Sequence, residues 1–217
     1  TMRGCATAPQ VGRIAVISPD GKHMYKAAWE HRAAIQIFDR DPATGAVTAR
    51  PAPDGCWQNA GNGGCQVLGI LKPSGIAISP DGESLYLSDF DGGEIITFDI
   101  DTTTGLLTRK PEAEGCMAWW GNGTSCATSP AASLSFHLLV SPDGKNVYGI
   151  NQEGNGAITT YVRNPTTGVL TVPPVGAPCI TNSGGGACLD GRGLFVPEAI
   201  GISPDGKTST SARASGR

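Results

Sequence analysis

Short apolar segments recur along this chain, and polar turn residues separate them. The most regular of these segments end directly before the tetrapeptide Ser-Pro-Asp-Gly, which begins at Ser18, Ser79, Ser141 and Ser203. The segments are rich in β-branched and aromatic residues, and none extends into the 3.6-residue apolar period that an amphipathic helix requires. The pattern therefore predicts an all-β protein that is built from short strands and lacks long helices.

The same order of segments repeats after each tetrapeptide. Successive copies begin 61, 62 and 62 residues apart, and such a fixed period indicates identical supersecondary units that stack against one another. One unit holds four segments, which predicts four antiparallel strands, named A to D from the inside outward. The Pro-Asp-Gly step predicts a type I turn, because proline presets φ and glycine accepts the positive φ that follows. Four-stranded units at this period are typical of β-propeller blades.

Three consensus motifs follow one another within each unit. Ser-Pro-Asp-Gly-Lys-x-x-Tyr comes first, then Ile-x-x-Phe-x-Arg-Asp, and Thr-Gly-x-Leu-Thr is last. Together they resemble the repeats of lactonase-type and YVTN-like bacterial β-propellers, over roughly residues 10–207. The resemblance implies a propeller fold. It is less specific for activity, because this superfamily includes enzymes, binders and scaffolds.

The number of units leaves the predicted ring incomplete. Blades are expected at about 11–55, 72–115 and 134–175, within one domain that spans 1–217. An extra strand A and a polar tail follow in 196–217, without the tyrosine or the Ile-x-x-Phe of the sister units. Because propellers usually need about 4–8 blades to close, we expect a homodimer in which two half-propellers form a six-bladed ring. The extra strand A of one chain would then compete with the first strand A of the other.

Composition and charge narrow the class of partner. The 217 residues include 31 glycines and 16 prolines, which suits many tight turns, and the net charge is −3. This small negative charge gives no basis for binding nucleic acid or an anionic membrane. No apolar stretch approaches the ~20 residues of a transmembrane helix, and no signal-peptide core is visible in the sequence. The resemblance to lactonase-type propellers implies a small-molecule substrate as the partner.

Six of the seven cysteines form three regular pairs. Each pair brackets a segment of the long loop after strand D: Cys56 with Cys65, Cys116 with Cys126, and Cys179 with Cys188. Disulfides within each loop are the simple interpretation, and zinc ligation is the alternative. Disulfides would indicate an oxidising compartment, and therefore a secreted or periplasmic protein. Cys5 is left over as a spare thiol, an intermolecular bridge or a reactive cysteine beside the pocket.

Candidate chemistry is expected at the end of the blades opposite the Pro-Asp-Gly turns. We call the end that carries these turns the lower face and the opposite end, where strand A begins and strands B and C are joined, the upper face. The candidate catalytic residues there are Arg13, His31, His137 and Glu198, together with Cys5. His137 suits a hydrogen-bonded structural role as well as a general base, and Arg13 suits an ion pair as well as an anion clamp. The third histidine, His23, falls near a lower-face turn and is expected to be solvated.

The B–C turns of the second and third units carry oxygen ligands of the type that Ca²⁺ accepts. These candidate metal ligands are Asp89, Asp91, Asn151 and Glu153. Aspartate and asparagine are also ordinary turn formers, so turn chemistry competes with a divalent cation as the explanation.

Two classes of function remain open. The resemblance implies a hydrolase of esters, lactones or phosphotriesters, in which His137 or a carboxylate would activate water. Arg13 or a cation would stabilise the oxyanion, and Cys5 as a nucleophile is a second route. The sequence contains no Gly-x-Ser-x-Gly elbow, no phosphate-binding loop and no His-Glu-x-x-His motif. The alternative is therefore a non-catalytic binding or scaffold module, and the resemblance favours the hydrolase.

Overall fold

Strands dominate the computed structural model. It describes residues 14–28, 34–70, 72–119, 125–129, 135–152, 156–174, 176, 178–192, 194 and 197–212. These residues form three six-stranded sheets and one two-stranded sheet, with a short helix α1 (Glu112–Gly115) and a 3-10 turn (Asn62–Gly64). The prediction of an all-β protein without long helices is confirmed for the described residues. None of their helices is long and apolar enough to cross a membrane.

The strands follow the sequence repeat. Sheet 1 contains β1 (Ile14–Ile17), β2 (His23–Ala28), β3 (Ala34–Arg40), β4 (Val47–Ala49), β5 (Cys56–Gln58) and β6 (Gln66–Val67). Sheet 2 contains β7 (Pro73–Ile78), β8 (Ser84–Asp89), β9 (Glu94–Ile100), β10 (Leu107–Arg109), β11 (Cys116–Trp119) and β12 (Ala127–Ser129). Sheet 3 contains β13 (Ser135–Val140), β14 (Asn146–Asn151), β15 (Ala157–Arg163), β16 (Leu170–Thr171), β17 (Cys179–Thr181) and β18 (Cys188–Asp190). The last sheet pairs β19 (Ala199–Ile202) with β20 (Ser209–Ala212).

The outer part of each sheet is larger than the four predicted strands. In sheet 1, β4 pairs with the second half of β3 and β5 pairs with its first half. The chain loops out between them, and the amide of Gln36 holds this loop by donating to the carbonyls of Arg50 and Gly55. A further strand, β6, then runs parallel to β5. Sheets 2 and 3 repeat this arrangement.

Disulfides join each of these parallel outer strand pairs. The bonds are Cys56–Cys65, Cys116–Cys126 and Cys179–Cys188. The predicted pairing is therefore confirmed, and zinc ligation by these cysteines is excluded. The disulfides also explain the additional strand. Each disulfide holds the end of the long loop next to the strand that precedes that loop.

The Ser-Pro-Asp-Gly turns have the predicted conformation in all four copies. The glycines Gly21, Gly82, Gly144 and Gly206 have φ values of 74°, 79°, 70° and 70°. In the first turn, Ser18 Oγ donates to Asp20 Oδ1 at 2.6 Å, and the same bond recurs in the other three. The repeated tetrapeptide is thus a repeated hydrogen-bonding unit.

Successive sheets pack through their inner strands. Strand β7 contacts β1 on one side and β13 on the other, and β13 contacts β19. One apolar core lies between sheets 1 and 2 and another between sheets 2 and 3. Leu107 and Leu170 are buried in these cores, 5% and 4% exposed, whereas Val47 at the same place in sheet 1 is 47% exposed. This order of stacked sheets is consistent with a propeller-like fold, while closure of a ring stays a prediction.

The end of the described chain differs from the predicted polar tail. The extra strand A is present as β19, but the polar residues after it form β20 and pair with β19 through the backbone. Its sequence contains only serine, threonine and alanine, so no apolar alternation marks it as a strand. Backbone pairing after the fourth Ser-Pro-Asp-Gly turn explains why it forms.

Candidate functional site

The upper ends of the inner strands β7 and β13 are irregular where they lie side by side. The pairing register shifts between Pro73 and Gly75 in β7, and between Ser135 and His137 in β13. Such bulges change the direction of a side chain and are common next to active sites. The sequence repeat places His137 one residue past the bulge of sheet 3, at the position that Gly75 occupies in sheet 2.

Strands β7 and β13 approach closely at these two positions. A Cβ atom on Gly75 would lie 3.1 Å from the Cα and carbonyl carbon of His137, and 2.7 Å from Ser88 Oγ. Glycine is therefore required at position 75, because a side chain would push the strands apart. Ser74 Oγ and Ser88 Oγ lie 3.2 Å apart beside this contact, and both residues are buried. The two hydroxyls form a small polar cluster near the backbone of His137.

The imidazole of His137 is half-buried, and this burial lowers its pKa. Below its ordinary value of about 6.5, such a pKa keeps the ring neutral at neutral pH and able to accept a proton. No other described residue forms a hydrogen bond with the imidazole. The alternative role for His137 is structural and would require hydrogen bonds to its imidazole. No such bond is present within the described part of the chain.

Asp89 fixes the turn between β8 and β9. Its buried carboxylate accepts the backbone N–H of Lys72 at 2.8 Å, and the carbonyl of Asp89 accepts the N–H of Gly93 at 3.0 Å. A Cβ atom on Gly92 would lie 2.7 Å from Asp89 Oδ2. These contacts are those of an ordinary turn, which is the alternative to a metal site as the explanation for Asp89.

Asp91 is paired with a cation of the protein itself. The Nζ atom of Lys72 lies 2.8 Å from Asp91 Oδ1 and 5.8 Å from the centre of the Phe90 ring. Asn151 is buried at the end of β14. In the described residues, no three acidic, histidine or cysteine side chains lie close enough to hold a metal ion, and Glu153 is outside these residues. The metal site stays a prediction.

Glu94 is a candidate that the sequence analysis missed. It lies directly opposite Asp89 in the β8–β9 pair. Burial and the carboxylate of Asp89 both raise its pKa. A pair of carboxyl groups of which one holds its proton more strongly is a common arrangement in acid–base chemistry. The signal was available in the sequence, because Asp89 and Glu94 bracket the short turn 90–93 and so face each other across a hairpin.

The remaining predicted catalytic residues are not brought together by the described structure. Glu198 directly precedes β19 and is exposed. Arg13, His31 and Cys5 lie outside the described residues, as does Glu153 among the metal candidates. Only His137 of the predicted catalytic set therefore has a described environment that suits a reaction.

On the lower face, the expectation that His23 is solvated is wrong. His23 is buried, and a Cβ atom on Gly105 would lie only 2.5 Å from its ring. Its Nδ1 lies 3.5 Å from Asp39 Oδ1 and 3.4 Å from Arg50 Nη2. The burial arises between sheets, because the Thr-Gly turn of sheet 2 covers the side chain.

Comparison with solved structures places this fold among larger proteins. A candidate 6-phosphogluconolactonase from Bacteroides uniformis is 24% identical to the chain, with a TM-score of 0.59, over 91% of this chain and 46% of that one. The periplasmic gluconolactonase of Pseudomonas aeruginosa is 18% identical, with a TM-score of 0.59 and the same two coverages, 91% and 46%. The hydrazine synthase of Kuenenia stuttgartiensis is 18% identical, with a TM-score of 0.51, over 96% and 45%.

These comparisons establish a shared fold. The chain spans about half the length of the solved structures it matches. No family model matches it, and no curated protein matches it. Two of the three proteins are named as lactonases and the third as a hydrazine synthase, so the shared fold alone assigns no activity to this chain.

Proposed function

We propose that this chain is a hydrolase of lactones, or of related esters and phosphotriesters, with its site at the upper face. The observation that carries the proposal is His137, a half-buried and neutral imidazole beside a bulged inner strand. Two of the similar structures are described as a gluconolactonase or a candidate 6-phosphogluconolactonase, which supports the choice of lactones. The sequence resemblance to lactonase-type repeats points to the same substrate class.

Hydrolysis of a lactone needs one group that takes a proton and later returns it. His137 accepts a proton from water as the water oxygen forms a bond to the carbonyl carbon. The ring C–O bond then breaks, and the imidazolium gives the proton to the leaving alkoxide, so that a hydroxy acid is released. Arg13 is the proposed group that stabilises the negative oxygen of the intermediate. Glu198, His31 and Cys5 stay candidates for orienting water or for a nucleophilic route, and no step is assigned to a cation.

Two chains are proposed to close one ring around this site. Val47 supports a missing neighbour, because its counterparts Leu107 and Leu170 are covered by the preceding sheet. At the other end of the array, a cleft of about 320 Å³ lies between the turn 141–143 with Tyr148 and the hairpin turn 204–206. A second copy that places its sheet 1 here covers Val47, and its β1 and β2 then displace the hairpin β19–β20.

Ring closure is tested by the molar mass in solution. Light scattering should show a dimer, and Val47→Asp should convert it to a folded monomer because a charge would enter the new contact. Val67→Asp is the matched control, since Val67 is also exposed but lies on the outer strand β6. A wild-type chain that is folded and monomeric at high concentration contradicts the dimer.

An extracytoplasmic location is also proposed. The three disulfides suit an oxidising compartment. One of the similar structures is described as periplasmic, in agreement with this inference.

The catalytic proposal is tested with a panel of lactones, chromogenic esters and phosphotriesters. His137→Ala should lower kcat by about 10²-fold or more, the usual contribution of a general base, and added imidazole should restore part of the rate. Leu139→Ala, two residues further along the same strand, controls for disturbed packing. No turnover of any substrate by the folded wild type, or an unchanged rate in His137→Ala, would refute the proposal and favour a binding module.

A further inference from the structure

The two interfaces between the large sheets share one framework at the lower face. Tyr25 of β2 donates its hydroxyl hydrogen to the carbonyl of Gly105 at 2.9 Å. Tyr86 of β8 donates in the same way to Gly168 at 2.7 Å. Both glycines belong to the Thr-Gly turn of the following sheet, so the interfaces can be compared residue by residue.

A buried arginine fills the interface between sheets 2 and 3. The side chain of Arg163 is 1% exposed, and its Nη2 lies 2.8 Å from Asp81 Oδ2. Its Nε donates to the Tyr86 hydroxyl at 2.9 Å. The Nη atoms also donate to Ser84 Oγ and to the carbonyl of Gly144, both at 3.2 Å. Four groups around this slot therefore accept hydrogen bonds from one planar cation.

The interface between sheets 1 and 2 has the same backbone but lacks the arginine. Ile100 occupies the position of Arg163, and its N–H donates to the carbonyl of Glu83 as that of Arg163 does to Lys145. A cavity of about 70 Å³ lies at this place, lined by Asp20, His23, Gly82 and Ile100 among others. One water needs roughly 10–15 Å³ on this measure, so the cavity has room for a group larger than a single water.

The groups around this cavity correspond to the groups that accept hydrogen bonds from Arg163 between sheets 2 and 3. Fewer of them have a hydrogen-bond partner. Asp20 stands at the position of Asp81 and accepts the same two bonds from its own turn. The hydroxyl of Tyr25 accepts no hydrogen bond from another described residue. The Nε2 atom of His23, which stands at the position of Ser84, is buried and has no partner among the described residues.

The local charge favours a positive ligand. The hydrogen bond from Ser18 is the main reason that the pKa of Asp20 is below its ordinary value, so this carboxylate is ionised at neutral pH. Among the described residues, Asp20 pairs with Lys22, whose Nζ is 3.6 Å away; the lysine side chain is largely exposed and that of Asp20 is 38% exposed. In the other slot the equivalent carboxylate is neutralised by a buried guanidinium.

We propose that the cavity between sheets 1 and 2 binds a guanidinium-type cation, in the place that the Arg163 side chain occupies between sheets 2 and 3. The cation donates to the carboxylate of Asp20, to the carbonyl of Gly82 and to Nε2 of His23. With Nε2 as the acceptor, a neutral His23 carries its proton on Nδ1, which then faces Asp39 Oδ1 at 3.5 Å and no longer accepts from Arg50 Nη2. This site lies on the face opposite the proposed hydrolytic site and does not depend on it.

The test is a titration of the full-length, isotopically labelled chain with guanidinium chloride up to about 50 mM at constant ionic strength. Saturable chemical-shift changes should appear at residues 18–23, 81–82 and 100–102, and the His23 ring nitrogens should move toward a single tautomer. Urea and ammonium chloride are the matched probes. Equal binding of ammonium, or changes that are linear and identical in urea, would overturn the assignment to guanidinium.

Two variants distinguish guanidinium binding in the cavity from nonspecific binding at the protein surface. Ile100→Arg places a guanidinium in the cavity from within and should abolish the saturable changes. Asp20→Asn should weaken binding by about tenfold or more, because a hydrogen bond to a charged group is lost, and as a surface-turn substitution it keeps the protein folded. Asp205→Asn, in the same turn of the last hairpin, should leave binding unchanged. Undiminished binding in Asp20→Asn contradicts the proposal.

Discussion

The interfaces on the two sides of sheet 2 share one backbone framework but differ in how their buried polar groups are paired. Between sheets 2 and 3, the guanidinium of Arg163 joins an aspartate, a serine, a tyrosine and a backbone carbonyl. Between sheets 1 and 2, the equivalent tyrosine bond is present but Ile100 leaves a cavity next to a buried histidine. The repeat therefore determines the shared framework, and the buried Nε2 of His23, which has no partner among the described residues, lies where the chain departs from the repeat at Ile100.

The same contrast applies to the upper face. Gly75 and His137 occupy one position in the repeat, and the close approach of their strands requires glycine on one side. The histidine is the departure, and its backbone lies beside the position where Ser74 and Ser88 bring their hydroxyls together. Candidate chemistry on both faces is therefore found where a unit differs from its sister units.

The largest effect on stability is expected from removing the buried guanidinium. Arg163→Ala leaves several acceptors without a donor and should lower the free energy of unfolding by about 3 kcal/mol. Arg40→Ala is the matched control, because Arg40 stands at the same position in sheet 1 but its guanidinium bonds to a single described group, the carbonyl of Gly21. This substitution should cost less than about 1 kcal/mol. Urea denaturation measures both, and equal losses would contradict the difference between the interfaces.

A smaller effect is expected from the two tyrosines. Tyr86→Phe removes a bond to a carbonyl and a bond from a guanidinium, and should cost about 2 kcal/mol. Tyr25→Phe removes a single bond to a carbonyl, and should cost about 1 kcal/mol. The same denaturation experiment gives both values. If Tyr25→Phe proves the more costly, its hydroxyl has a partner in the cavity and the comparison must be revised.

Local features of the fold were predictable from the sequence because local chemistry determines them. The Ser-Pro-Asp-Gly turns form wherever the tetrapeptide occurs, since serine, aspartate and glycine supply all the bonds within one turn. The cysteine pairs were predictable because each is closed within one loop. The repeat period similarly predicts stacked sheets, because identical units pack against one another in chain order.

Features that depend on contacts between units were not predictable in the same way. The burial of His23 is caused by the Thr-Gly turn of the next sheet, which is distant in sequence. Strand β20 has no apolar pattern and forms through backbone pairing alone. At the candidate site, His137 is visible in the sequence because it differs from the glycine and alanine at its repeat positions, whereas the Glu94–Asp89 pair forms only through the cross-strand register of the β8–β9 hairpin.

The most direct test of the proposed function is the pH dependence of kcat/KM for lactone hydrolysis by the wild-type chain. Burial lowers the pKa of His137, and the ring must be neutral to accept a proton, so the rate is low when His137 is protonated and rises with pH through its pKa. We predict a single rising limb whose midpoint lies below the ordinary histidine value of about 6.5. A rate that does not change across this range, or that falls as pH rises through it, would contradict His137 as the general base.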